Sequence, residues 1–143
     1  EWKYGGWPKS GEIDIMENVG YDPDSVIGAA HTGAYNGMHG THKHGSIFVP
    51  DSHNNFHEYK LEWKPGEYSV FVDDVKYFTF ENENKSTDEW PFDQRFHLIM
   101  NIAFGGNWGG SKGIDPTGLP QQMEIDYVRV YQKVGDRTSR TQE

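Results

Sequence analysis

Along much of the chain, apolar and polar residues alternate with a period of two, the pattern of a strand with one buried and one wet face. The clearest run is Phe56 to Trp63, where Tyr59, Leu61 and Trp63 share the side that faces the predicted core. Pro65-Gly66 turns the chain. Tyr68–Val72 and Val75–Phe80 then predict two strands around Asp73-Asp74, a two-residue hairpin turn. Earlier, residues 11–19 and Ser25–Thr32 read as strands, separated by the turn signal Tyr21-Asp22-Pro23-Asp24. Later, Phe96–Ala103 is an apolar strand broken by Asn101. Gln122–Gln132 is a last strand, with Met123, Ile125 and Tyr127 alternating against Glu124 and Asp126. Val128 and Val130 then take the parity of the acids, so this strand is either covered on both faces or reset by a bulge. Residues 1–10, 33–45, 81–93 and 105–118 read as loops, and 133–143 as a polar tail. No segment keeps a helical period over ten residues, so the fold class is all-β, with roughly seven strands at sandwich spacings.

One strand breaks its own rule. In Gly11-Glu12-Ile13-Asp14-Ile15-Met16-Glu17, Glu12 and Asp14 share one face, and Ile13 and Ile15 the other. Strict alternation would send Glu17 into the apolar layer, where an unpaired carboxylate is costly. One extra residue around Ile15-Met16 resets the alternation and lines Glu12, Asp14 and Glu17 along one face. Such a row suits glycosidic bond cleavage, which needs a carboxyl that donates a proton and a carboxylate facing the anomeric carbon. An acid between them can hold their protonation states apart. A solvated acidic face that keeps a sheet edge soluble would show the same spacing. The required bulge and the flanking tryptophans favour chemistry.

Composition narrows the partners. The 143 residues suffice for one modest domain, and the formal charge of −9 is spread along the chain rather than gathered in a tail. An acidic surface argues against nucleic acid and against an anionic membrane. With no cysteine there is neither a disulfide nor a thiolate metal site, which is compatible with secretion. No apolar run approaches the ~20 residues of a membrane-spanning helix, and no signal peptide is visible in the chain.

Three further clusters bear on chemistry. Trp2, Trp7, Tyr35 and Trp108 fall in predicted loops, where core packing explains them poorly and where indole and phenol faces can stack on sugar rings. His39, His42 and His44 lie close together in a Gly-rich loop, with His31 and His53 nearby, and read as surface histidines rather than as a zinc site, which needs convergent ligands. His31 differs, because it ends a strand beside the acidic row and can hydrogen-bond substrate or the catalytic acid. Gly105 to Lys112 superficially resembles a phosphate loop, but the order Gly110-Ser111-Lys112 is wrong and no helix follows.

At this point WPKSGEIDIMENVG resembles the active-site signature of glycoside hydrolase family sixteen, in its bulged, laminarinase-type form. The likeness continues through HTGAYN, FHEYKLEWKPGEYSVFVDD, WPFDQRFHLIMNIAFGGNWGG and LPQQMEIDYVRVYQ, covering residues 1 to about 132. It implies a jelly-roll β-sandwich of two antiparallel sheets with a concave glycan cleft, here its C-terminal portion. It also implies retaining endo-hydrolysis of β-1,3-glucosidic bonds in laminarin-like glucans by a secreted or periplasmic enzyme. Glu12 would be the nucleophile, Glu17 the general acid and then base, and Asp14 the acid between them. Trp7 matches a tryptophan of the substrate cleft, and Trp2, His31, Asn101, Trp108 and Gln122 fall in matching cleft segments. Asp126 matches an aspartate that in many members helps hold a structural calcium, with no cofactor needed for catalysis.

The same signature serves enzymes acting on mixed-linked glucan, agarose, carrageenan or xyloglucan, and a non-catalytic carbohydrate-binding domain can share the sandwich. Family members usually run longer, with strands before the signature. The expectation is therefore a domain of residues 1–132 that pairs with an N-terminal segment of its own or with a second chain, and otherwise leaves sheet edges exposed.

Overall fold

The computed structural model describes residues 2–134; residues 135–143 of the expected polar tail lie outside the described residues. Two three-stranded antiparallel sheets pack face to face as a jelly-roll β-sandwich, the all-β class expected. The first sheet runs β1 (Glu12–Val19), β2 (Asp22–His31), β3 (Lys43–Phe48) in that order. The second runs β4 (Tyr59–Lys64), β5 (Glu67–Val72), β6 (Val75–Glu81). Asp73 and Asp74 make the β5–β6 turn with φ of 45° and 66°, the left-handed pair that lets a two-residue hairpin follow the strand twist.

The core lies between the sheets. Ala30 on the first sheet meets Tyr68, Val70 and Phe80 on the second, and Trp90 and Phe92 close one end. Val26, Val49 and Val72 form a second cluster. Each valine or phenylalanine among them contributes about 1.5–3 kcal/mol when fully buried. Phe80, Trp90 and Phe92 stack or meet edge to face at centroid distances of 5.1 to 5.9 Å.

The sheets approach most closely where β2 and β3 lack side chains. Gly28 and Gly45 are directly paired. A Cβ on Gly28 would sit 2.5 Å from Val70 Cγ2, and one on Gly45 would sit 2.3 Å from the Tyr77 carbonyl oxygen. The space is filled from β6 by Tyr77, whose ring lies over Gly28 and whose hydroxyl donates to the Ile15 carbonyl of β1. Tyr68 on β5 likewise donates to the Ala29 carbonyl at 3.0 Å. The second sheet thus reaches through the core to hold the backbone of the first.

Several expectations need correction. Phe96–Ala103 and Gln122–Gln132 form no strand. Their alternation is real, but a strand also needs a neighbour for its backbone bonds, and among the described residues none is paired with them. Many of their apolar side chains are exposed, Val130 at 92%. The expected loop 33–45 ends early, because β3 begins at Lys43 and places His44 on a strand. The expected turn at 21–24 tightens to Gly20-Tyr21, since Val19 already pairs with Asp22. Asn18 Nδ2 donates to the Pro23 and Ser25 carbonyls at 2.7 and 3.1 Å, satisfying backbone groups where the ladder is irregular. Trp63 stays 40% exposed against Phe96 instead of entering the core.

Candidate functional site

The bulge falls where the acids demand it. Asp14 pairs with Ala29 and Glu17 with Ile27, so three steps along β1 oppose two along β2. Ile13, Ile15 and Met16 all turn into the apolar clusters. Glu12, Asp14 and Glu17 line the opposite, outward face, each half-buried. The Tyr77 hydroxyl accounts for the Ile15 carbonyl that the irregular ladder leaves over.

A tied loop brings Trp7 to this row. Tyr4 N donates to Ser10 Oγ at 3.0 Å, and Ser10 Oγ donates to the Gly5 carbonyl at 2.7 Å. Gln94 Nε2 donates to the Ser10 carbonyl at 2.8 Å, and the Tyr4 hydroxyl donates to Asp93 at 2.7 Å. The Trp7–Pro8 peptide is cis. The loop so held lets the Trp7 indole N–H donate to Glu12 Oε2 while the ring stays partly open to solvent.

His31 joins from β2, directly opposite Glu12. The Gly37 amide donates to His31 Nδ1 at 3.1 Å, so that nitrogen carries no proton. The ring proton therefore sits on Nε2, which faces Asp14 Oδ2 at 3.3 Å. That contact with Asp14 draws the imidazole pKa up, but a second proton would have to displace the Gly37 amide. Asp14 Oδ2 is buried with no other partner.

The two glutamates are set apart by their surroundings. Burial pushes the Glu17 carboxyl up to about 7, with the Asp14 charge adding to the effect. Burial and Asp14 also raise Glu12, but the Trp7 N–H opposes this by binding its charged form. The face thus holds two carboxyls that both take up protons more readily than usual, Glu17 near neutrality, with the Trp7 N–H partly offsetting the rise at Glu12. That division suits proton donation at one end and nucleophilic attack at the other.

Glu12, Asp14, Glu17, His31 and Trp7 are the expected site residues that the structure brings together. No hydrogen bond or ring contact joins Trp2, Asn101, Trp108 or Gln122 to the acids among the described residues, and the Gln122 amide donates instead to Glu124. Asp126 belongs to no group of three or more carboxylate or imidazole ligands among the described residues, whereas calcium takes roughly six to eight oxygens. The other ligands expected for such a calcium are backbone carbonyls rather than side chains, so Asp126 keeps its expected role, and no chemical step runs through it. The convergent group is instead Glu12, Asp14 and His31, whose ligand atoms lie within 4.8 Å of one another. Tyr77, Tyr68 and Gly37 escaped sequence reasoning. An O–H reaching across a core or an amide donating to a ring leaves no periodic trace, and Tyr77 turns inward only where the β6 register shifts against β5.

Comparisons with known proteins bear on the family and the fold. The model of glycosyl hydrolases family 16 matches residues 3–129. A β-glucanase from Rhodothermus marinus is 55% identical over 133 residues, covering 90% of this chain and 46% of that protein. The crystal structure of the laminarinase from Rhodothermus marinus superposes with a TM-score of 0.79 at 52% identity, over 82% of this chain and 49% of that one. A variant of a non-specific endo-β-1,3(4)-glucanase, co-crystallised with 1,3-β-D-cellotriosyl-glucose, superposes with a TM-score of 0.86 at 44% identity, over 90% of this chain and 50% of that one. The chain therefore spans about half the length of these three relatives. With its signature strand bulged and its acids on one outward face, the chain belongs to glycosyl hydrolases family 16.

Proposed function

We propose that this chain carries the catalytic strand of a retaining endo-β-1,3-glucanase that acts on laminarin-like glucans outside the cell. The carrying observation is that Glu12, Asp14 and Glu17 share one outward face, with Glu12 held by the Trp7 N–H and Glu17 raised to about 7. In the first step a Glu12 carboxylate oxygen attacks the anomeric carbon. The glycosidic bond breaks, and the departing oxygen takes the Glu17 proton. In the second step the Glu17 carboxylate takes a proton from water, whose oxygen attacks the anomeric carbon and releases Glu12. Asp14, between them and oriented by His31, keeps a negative charge beside both and so favours the protonated form of Glu17. The choice of glucan as substrate rests on the relatives, one a β-glucanase and one crystallised with a glucan oligosaccharide. A polymer too large to cross a membrane fits action outside the cell.

In the full-length protein, Glu12→Gln and Glu17→Gln should each cut laminarin hydrolysis by about a thousandfold or more while laminarin binding persists. Azide should partly restore turnover to Glu12→Gly by taking the place of the lost carboxylate, with a glycosyl azide as product. Wild-type rates in both glutamine variants would overturn the mechanism.

A further inference from the structure

Ligand-type atoms of Glu12, Asp14 and His31 meet within 4.8 Å of one another. Two carboxylates and an imidazole at that spacing are also what a divalent transition metal such as Zn²⁺ binds. The surroundings of this imidazole have the wrong polarity for one. A histidine that ligates a metal offers the lone pair of one ring nitrogen, while the other nitrogen carries the proton and donates it outward. Here Nε2 is the nitrogen on the acid side, 3.3 Å from Asp14 Oδ2. Nδ1 faces no acceptor. It takes a hydrogen bond from the Gly37 amide at 3.1 Å. A metal at Nε2 would send the ring proton to Nδ1 and set it against that N–H.

The amide is held in place by a tied loop. Gly37 opens the short 3₁₀ turn Gly37–His39 that follows β2, and Asn36 caps it. Asn36 is 1% exposed, and its side chain is fully engaged. Its Oδ1 accepts from the His39 amide at 3.3 Å, and its Nδ2 donates to the Thr32 and Gly33 carbonyls at 3.3 Å each. The Asn36 amide donates to Thr41 Oγ1 at 3.1 Å, and the Thr41 amide donates back to the Asn36 carbonyl at 3.0 Å. Gly37 lies so close to the ring that a Cβ there would sit 3.3 Å from His31 Cε1.

We propose that Asn36 and Gly37 are positioning residues that lock the His31 proton on Nε2 and so keep transition metals out of the acidic row. Asn36 aims the Gly37 amide, and the amide occupies the one ring nitrogen that would have to take the proton if a metal bound. A metal held here would occupy the Glu12 carboxylate, the group that must be free to attack. The lock also presents an N–H rather than a lone pair to the charge of Asp14. The consequence for rate rests on the glucanase reading above, whereas the tautomer and the metal exclusion do not.

The test uses full-length protein, with NMR of the imidazole nitrogens to read the tautomer and calorimetry with Zn²⁺ to read metal binding. In the unsubstituted protein His31 should carry its proton on Nε2. Asn36→Ala loosens the turn and should mix the two tautomers. It should also tighten Zn²⁺ binding by about tenfold, with inhibition of laminarin hydrolysis moving to correspondingly lower Zn²⁺. Adding Glu12→Gln or His31→Gln should abolish that gain, which assigns it to this cluster rather than to other histidines. Asn36→Ser keeps a capping oxygen for the His39 amide and should restore most of the unsubstituted behaviour. Circular dichroism checks folding, and if Asn36→Ala does not fold, Thr41→Val carries the same comparison. An unsubstituted ring protonated on Nδ1, or a folded Asn36→Ala with the same tautomer and the same Zn²⁺ affinity, overturns the lock. A locked ring and a Zn²⁺ gain in a protein that hydrolyses no glucan would remove the glucanase reading and leave the lock standing.

Discussion

The two faces of the β1–β2–β3 sheet are built from the same strands and obey opposite rules. The inner face carries Ile13, Ile15, Met16, Val26, Ala30 and Ile47, all packed against the second sheet. The outer face carries Glu12, Asp14, Glu17, His31 and His44, with carboxylates crowded until their protonation shifts. Inner contacts lower the free energy of the fold. The outer row does the reverse, because crowded and partly dried carboxyls resist ionisation. Stability and chemistry are thus separated by the thickness of one backbone, and substitutions on the two faces should fail in different ways.

The largest expected effect is on the outer face. Glu12→Gln or Glu17→Gln should remove about a thousandfold or more of the rate and leave the melting temperature intact or higher. A melting temperature that falls together with the rate would break the comparison. Next comes Gly28→Val on the inner face. Its Cβ would press on Val70, so the protein should lose about 1–3 kcal/mol in denaturant unfolding, with specific activity per folded molecule much less affected.

Tyr77→Phe tests the link between the faces. It leaves the Ile15 carbonyl without its hydroxyl donor, which should cost about 1–3 kcal/mol and also lower kcat, since that bond holds the bulge that aims Glu17. A stability loss with kcat unchanged would show that the bulge holds its shape unaided.

The smallest effect is one of pH. Glu17 sits at about 7 in the folded protein, above its ordinary value of 4.5. Protons are therefore bound more tightly in the folded state than in the unfolded chain. The carboxyl progressively penalises folding as pH rises from 4.5 towards 7, and the penalty then stays. Glu17→Gln should accordingly raise the melting temperature more at pH 8 than at pH 4. The rate should fall along its alkaline limb near pH 7, as the proton donor is lost. A rate that stays flat through this range would remove Glu17 from the donor's role.

The acidic row was legible in advance because burying Glu17 would be costly and one inserted residue avoids it. The hairpin at Asp73-Asp74 was legible because few residues tolerate a left-handed pair. His44 was misplaced because Gly- and His-rich sequence reads as loop, while the pairing of Gly28 with Gly45 depends on how closely a second sheet approaches. Phe96–Ala103 and Gln122–Gln132 were misread for the complementary reason. Alternation reports which way side chains would point, and it says nothing of whether a neighbouring strand stands beside them. Trp7 was placed correctly from proximity in sequence, yet its N–H bond to Glu12 needed the loop ties through Ser10 and Gln94.

The β1 bulge has one more consequence. A pleated strand is a two-letter clock, and every side chain before the bulge keeps one phase while every side chain after it keeps the other. Deleting either Ile15 or Met16 would remove the extra residue, restore strict alternation and leave Glu17 on its present face. Removing both would set Glu17 directly after Asp14 and turn it to the opposite face. The spacing of the acids is therefore locked to odd and even numbers, and in this strand a loss of one residue should be gentler on the fold than a loss of two.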